Sequence, residues 1–223
     1  MTYEEVMSEL RSRSDPARVV SMARYAVPTE GRIGVSMPSI RKVGRLAGKD
    51  HELAAQLWKS GIHEAMILAS IVDRSKWVDE PQMDRWAADF DSWDVCDQVC
   101  MGLFSATPFA DKKISEWAVR PEEYVKRAAF AMIAGVVVHD KRASDERIAG
   151  YLPIISAAAG DERNFVKKAV NWALRQIGKR NASLLPQAIA VAEEIALQDS
   201  RSARWIASDA LRELHARQPK AQD

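Results

Sequence analysis

Apolar residues recur along this chain at the three- and four-residue spacing of an α-helix, and almost nowhere at the two-residue spacing of a strand. The breaks between periodic stretches carry helix punctuation. Asp15-Pro16 opens a stretch running to Tyr25, and Ser36-Met37-Pro38 opens the next, with Pro38 near its first turn. Gly61 separates His51–Ser60 from Ile62–Arg74, Pro81 begins a stretch to Phe90, and Pro108 ends one that starts near Asp91. Pro121 starts a helix through Val137, and Gly160-Asp161 precedes a long one ending near Gly178. Asn181 and Ser183 are candidate caps for the following helix, and Ser200 or Ser202 for the last. About a dozen short helices joined by brief turns are too many for a four-helix bundle.

A local pattern repeats inside this helical background. Ala-x-x-(large apolar)-(Ala or Met) occurs as Ala65–Ala69, Ala128–Met132, Ala169–Ala173 and Ala203–Ala207. Two basic residues precede it at Lys126-Arg127 and at Lys167-Lys168. Successive first alanines stand 63, 41 and 34 residues apart. The first interval suits two units and the others one each, against HEAT-type periods of about 40–47 residues with short variants. Small alanines let paired helices approach closely, and the large neighbour fills the layer between units. The plain alternative is ordinary alanine-rich helices with chance similarity. The repeat reading predicts an all-α, HEAT-like solenoid forming a single domain over residues 1–223, the last few residues disordered. Such stacks curve, and their inner helices line a concave groove that suits a duplex or a protein partner.

With 223 residues, nearly half of them apolar, the chain is long enough for a continuous core and too hydrophobic for disorder throughout. Met1 to Leu10 carries three glutamates and no apolar run, which predicts no signal peptide. The longest near-continuous apolar stretch, Ala128 to Val138, has 11 residues, short of the ~20 that span a bilayer. Cys96 and Cys100, four apart, give no disulfide framework and no zinc site alone. A cytoplasmic location is the default expectation. The net charge of +1 argues against nucleic acid until its distribution is considered. Residues 1–49 hold nine basic and five acidic residues, 50–99 four and eleven, and 100–223 nineteen and fifteen. Arg32, Arg41, Lys42, Arg45 and Lys49 form a run with no acid among them. Basic ends around an acidic middle fit a protein that grips a polyanion at its flanks and places a carboxylate near its centre. A mixed solvated surface is the simpler alternative.

The chain carries no zinc, P-loop, Gly-x-Ser-x-Gly or Gly-x-Gly-x-x-Gly signature, so neither metal nor cofactor is called for. His51, His63, His139 and His215 are scattered, and read as surface or supporting residues; the two cysteines read as core thiols. The segment DSWDVCDQVC, from Asp91 to Cys100, is different. Trp93 and Asp97 are four apart and share a helix face. An indole beside a carboxylate is a poor core pairing unless the acid is satisfied, but suits a cleft that holds a cationic group. The alternative has Trp93 in the core and Asp97 solvated or capping. Arg127 offers a planar fork for a phosphate, or is a surface helix arginine. Trp172 and Arg175, three apart, share a face; Tyr25 packs a helix end or lines a groove. Trp58, Trp77, Trp86, Trp117 and Trp205 read as packing residues.

Taken together, five segments resemble the DNA alkylation repair glycosylases of the HEAT-like-repeat type, the AlkD-like family. They are Met22-Ala-Arg-Tyr25, Gly34-Val-Ser-Met-Pro38, Ser92-Trp-Asp-Val-Cys-Asp97, Tyr124-Val-Lys-Arg-Ala-Ala-Phe130 and the stretch from Phe165 to Arg175. The resemblance covers roughly Ala17 to Leu214, and its specificity lies in the order and spacing of the motifs. It implies a C-shaped stack that wraps duplex DNA and excises positively charged N3- or N7-alkylated purines, working on the backbone side without a base pocket. It implies catalytic roles for Trp93, Asp97 and Arg127. Tyr25, Trp172 and Arg175 would line the DNA-facing cleft, and Lys126, Lys167 and Lys168 are further expected DNA contacts. A monomer is expected. Family members carry glutamine where this chain has Ser36, which implies a lost contact there. The family includes relatives without demonstrated glycosylase activity, so a non-catalytic protein for branched or distorted DNA is an alternative, as is a HEAT protein-interaction scaffold.

Overall fold

Fourteen α-helices and two 3-10 turns make up the regular structure of residues 1–217, the part the computed structural model describes. No strand occurs among the described residues, so the chain is all-α. No helix among them is long and apolar enough to cross a membrane. The expectation of disorder in the last few residues falls on 218–223, outside the described residues. Contacts group the chain into two units, Met1–Phe109 and Ala110–Asp223.

The first unit contains α1 (Tyr3–Arg11), α2 (Pro16–Met22), a 3-10 turn (Ala23–Tyr25), α3 (Met37–Ala47), α4 (His51–Lys59), α5 (His63–Val72), α6 (Glu80–Ala88), α7 (Trp93–Gly102) and a second turn (Phe104–Ala106). Helix α5 lies at its centre, with α3, α4 and α7 packed on it. Nine of its ten residues are buried, as expected of a helix apolar on every side. Gly44 lets α3 cross it closely; a Cβ there would stand 2.6 Å from Ile71 Cγ2. Trp58 and Trp86 stack with ring centroids 4.0 Å apart, and Phe90 and Phe104 close the cluster.

The second unit contains α8 (Ala110–Trp117), α9 (Glu123–His139), α10 (Asp145–Ala149), α11 (Leu152–Ala158), α12 (Asn164–Arg180), α13 (Leu184–Ala196) and α14 (Arg201–His215). Helix α9 buries twelve of its seventeen residues, and α12 packs between it and α14. Helices α9 and α12 run parallel. Arg127 at the start of α9 donates to the Phe165 carbonyl at the start of α12, and Arg180 at the end of α12 donates to the carbonyls of Val137, Asp140 and Ala143. Helices α12 and α14 are parallel too, in constant register. Lys167 sits over Trp205, Asn171 bonds Asp209, and Arg175 bonds Glu213, each pair 38 residues apart. The four alanine motifs fall in α5, α9, α12 and α14, and the first alanine of each is fully buried.

Most of the punctuation read from sequence holds. The side chains of Asp15, Ser36 and Ser200 cap α2, α3 and α14, and that of Asn181 receives the amides of Ser183 and Leu184 at the start of α13. Ser202 is no cap; its hydroxyl donates to the Asp161 carbonyl. Four helices went unassigned: α1, which opens with a Thr2–Glu5 capping box, and the short α8, α10 and α11. Trp58, Trp86 and Trp117 are core residues as expected, but Trp77 and Trp205 are each 40% exposed and are not. Cys96 and Cys100 are buried thiols.

Candidate active site

In the first unit the residues around the start of α7 are held by charges buried beneath them. Arg32 donates through Nε to the Pro28 carbonyl at 2.7 Å and through both terminal nitrogens to the Asp94 carboxylate at 2.8 and 2.7 Å. It also reaches the hydroxyl of Ser92, the residue before the helix, at 3.1 Å. Its side chain has no exposed surface. Arg32 therefore leaves the basic run expected to meet a polyanion: it is a structural clamp. Such bidentate pairing is what makes a buried guanidinium tolerable.

Two residues of α5 complete the clamp. The buried Glu64 accepts the backbone amides of Ile33 and Gly34, at 3.1 and 2.7 Å. His63 meets the Gly31 carbonyl with one ring nitrogen and the Asp91 carboxylate with the other. Gly34 has φ +78°, and a Cβ there would lie 2.1 Å from the Asp15 carbonyl oxygen, so only glycine fits. Asp94, Glu64 and Arg32 escaped the sequence reading as site-supporting residues. The available signal was the acid inside the Trp-Asp-Val-Cys-Asp segment, but its partner lies 62 residues away.

On this base stand Trp93 and Asp97, the first and fifth residues of α7. Both are half-buried and lie on one face of the helix. The Trp93 indole Nε1 donates to the Tyr25 carbonyl at 3.0 Å, which fixes the edge of the ring. Tyr25 itself is 70% exposed at the end of the 3-10 turn. The structure thus brings Tyr25, Trp93 and the helix bearing Asp97 together. Ser36 accepts the Ser39 amide as a helix cap.

In the second unit the expected DNA contacts divide. Arg127 is 6% exposed, so it is not a surface arginine; its guanidinium donates to the Phe165 carbonyl at 2.6 Å. Lys126 pairs with Asp161 at 3.0 Å. Burial pushes the Asp161 carboxyl up, but Arg163 and Lys126 outweigh it and hold the group below the usual range. Arg175 pairs with Glu213 at 2.7 Å and lies 3.6 Å from Asp209. Trp172 is half-buried. Lys167 lies 5.0 Å from the centroid of the Trp205 ring, and Lys168 is exposed. Trp205, like Trp77, is placed wrongly by sequence reasoning; its i and i+4 spacing from Arg201 was the signal available.

Among solved structures, one described as a new family of proteins related to the HEAT-like repeat DNA glycosylases, with affinity for branched DNA structures, matches at 19% identity. It covers 96% of this chain and 95% of that chain, with a TM-score of 0.78. That likeness gives the fold, a HEAT-like helical repeat. A designed armadillo repeat protein aligns at 16% identity over 79% of this chain and 92% of that chain, with a TM-score of 0.36, too low to relate the two folds. No curated protein matches the chain in sequence. The family model described as DNA alkylation repair enzyme matches residues 6–214. The chain, helical throughout and carrying a tryptophan–aspartate pair on a clamped helix start, belongs to the DNA alkylation repair enzyme family.

Proposed function

We propose that this protein is a DNA glycosylase of base excision repair that hydrolyses the N-glycosylic bond of positively charged N3- or N7-alkylated purines in duplex DNA. The observation that carries the reading is the pairing of a half-buried indole, held by its Nε1, with a carboxylate one turn along the same face of α7. Alkylation leaves the base positively charged. When the C1′–N bond breaks, its electron pair neutralises the departing purine, so no acid is needed to protonate it. Positive charge grows on the deoxyribose instead. Asp97 stabilises that charge, orients a water and takes its proton as the oxygen bonds to C1′. Trp93 lies against the sugar and keeps bulk water out. The products are a free neutral base and an abasic site in an uncut strand. Arg127, its fork held by the Phe165 carbonyl, is assigned a backbone phosphate, and Tyr25, Trp172, Lys167 and Lys168 further DNA contacts. On this reading the enzyme is a cytoplasmic monomer.

The test is release of N7-methylguanine from methylated duplex DNA by the purified chain. Asp97→Asn is expected to lower single-turnover release by at least about 100-fold, the scale of one lost electrostatic group. Full release by Asp97→Asn would end this role for the residue. A second reading, DNA binding without catalysis, is favoured by the described affinity of the structural neighbour for branched DNA. It predicts tight, salt-dependent binding of a four-way junction and no freed base from wild type.

A further inference from the structure

The ladder between α12 and α14 has three rungs, and only the first sets a cation against a ring instead of an acid. Asn171–Asp209 and Arg175–Glu213 are matched pairs, with Lys179 on Glu213 and Arg212 on Asp209. The first rung is a lysine over an indole, Lys167 over Trp205, and Lys168 and Arg201 lie exposed beside it in sequence. The nearby acids are already engaged: Glu162 accepts from Ser200 and Ser202 and feels Arg201, and Asp199 meets Arg204. The surrounding sequence shows the same imbalance. Residues 164–223 hold ten basic and six acidic residues, whereas 100–163 hold nine of each. The last helix of a repeat array ordinarily turns a polar face to water. The exposed stripe of α14, Arg201, Trp205, Ser208 and Arg212, breaks that rule with a tryptophan that is 40% exposed.

We infer that the first rung is a contact for the sugar–phosphate backbone of a DNA duplex arm, and that Trp205 is a DNA-binding residue. Lys167 exchanges its place over the ring for a phosphate oxygen, and the freed indole face takes the adjoining deoxyribose. Arg201 and Lys168 flank it as further phosphate contacts. A cationic cluster with one aromatic face fits a polyanion that also presents apolar sugar edges; it does not fit a neutral or basic protein surface. The inference rests on the reading that the protein acts on DNA, and not on its being a glycosylase.

The experiment is anisotropy of a labelled, undamaged duplex titrated with the full chain over a salt series. Trp205→Ala is expected to weaken binding about tenfold, the size of one aromatic contact with nucleic acid. Lys167→Ala is expected to weaken it about fivefold and to lower the salt slope by about 1, one phosphate contact. If Trp205→Ala fails to fold, as judged by its thermal melt, Trp205→Phe with near-wild-type affinity and Lys167→Ala with the reduced slope support the inference. Wild-type affinity and slope in Lys167→Ala overturn it, as does wild-type affinity in a folded Trp205→Ala. Wild type that binds DNA but frees no base removes the glycosylase reading alone, and the variants still decide this one. Wild type that binds no DNA removes both.

Discussion

The two units hold their polar groups in opposite ways. In the first, the groups that position Trp93 are buried: Arg32 without exposed side-chain surface, Glu64 and His63 nearly so, all clamping the irregular segment between the Tyr25 turn and α3. In the second, Arg175, Lys179, Asp209 and Glu213 keep between 19% and 30% of their side-chain surface in water, and they repeat in fixed register along parallel helices. A regular stack of helices already has its register set by core packing, so its polar rungs need supply little energy. A segment with no periodic structure has no such frame. It is fixed by a few strong charge-assisted bonds whose removal leaves unpaired groups behind.

The contrast is broken most directly by deleting the clamp. Arg32→Ala leaves Asp94 and Ser92 without their partner, and is expected to cost about 3 kcal/mol or more in denaturant unfolding. Glu64→Ala orphans two backbone amides and is expected to cost about as much. On the proposed glycosylase reading both variants also lose base release, because the Tyr25 carbonyl no longer holds the Trp93 indole in place. A loss below about 1 kcal/mol for either would mean the segment is held by its apolar contacts. The next largest effect belongs to the one fully buried polar side chain of the ladder. Asn171 is 1% exposed, and Asn171→Ala should cost about 1–2 kcal/mol, since Asp209 keeps Arg175 and Arg212.

The same difference explains what could be read in the sequence. The caps at Asp15, Ser36, Asn181 and Ser200 and the alanine motifs are local, so the helices they mark were legible. The register was less so. Between α12 and α14 the motifs stand 34 residues apart where the lateral pairs stand 38 apart, an error of four residues. Apolar residues on one helix face recur every three or four positions, so a repeat slid by one turn still matches itself. Trp93 and Asp97 were found because their relation lies within one helix. Arg32–Asp94 and Glu64–Gly34 were not, because they join residues 62 and 30 apart with no pattern to link them. Arg32 reads as part of a basic surface, and Trp205 as core, since neither charge nor aromaticity tells which side chains meet solvent.

Acid should find the second unit's ladder by a modest, assignable loss. Burial raises the Glu213 carboxyl, but Lys179 and Arg175 outweigh it, so the group stays below its ordinary 4.5. Asp161 is held below its ordinary 3.8 in the same way. A carboxyl whose folded pKa is depressed adds stability that is complete above its unfolded value and lost as pH falls through its folded one. Melting temperature should therefore show no contribution from these two groups to its pH dependence above pH 4.5, and a falling one below it. Glu213→Gln should flatten part of that fall. An unchanged acid limb in Glu213→Gln and Asp161→Asn would show that the pairs do no work in the folded state.

The smallest effect tests the comparison most sharply. A double-mutant cycle on Arg175→Ala and Glu213→Ala isolates the coupling of one rung, which geometry alone makes look strong at 2.7 Å. Both side chains are close to 30% exposed, so water screens the pair and the ordering of two long side chains offsets much of the attraction. A coupling of about 0.3–1 kcal/mol is expected, shrinking as salt rises. A coupling near 3 kcal/mol that ignores salt would be that of a buried clamp. The ladder would then be setting the register of α12 on α14, with core packing following, and the two units would differ in pattern but not in kind.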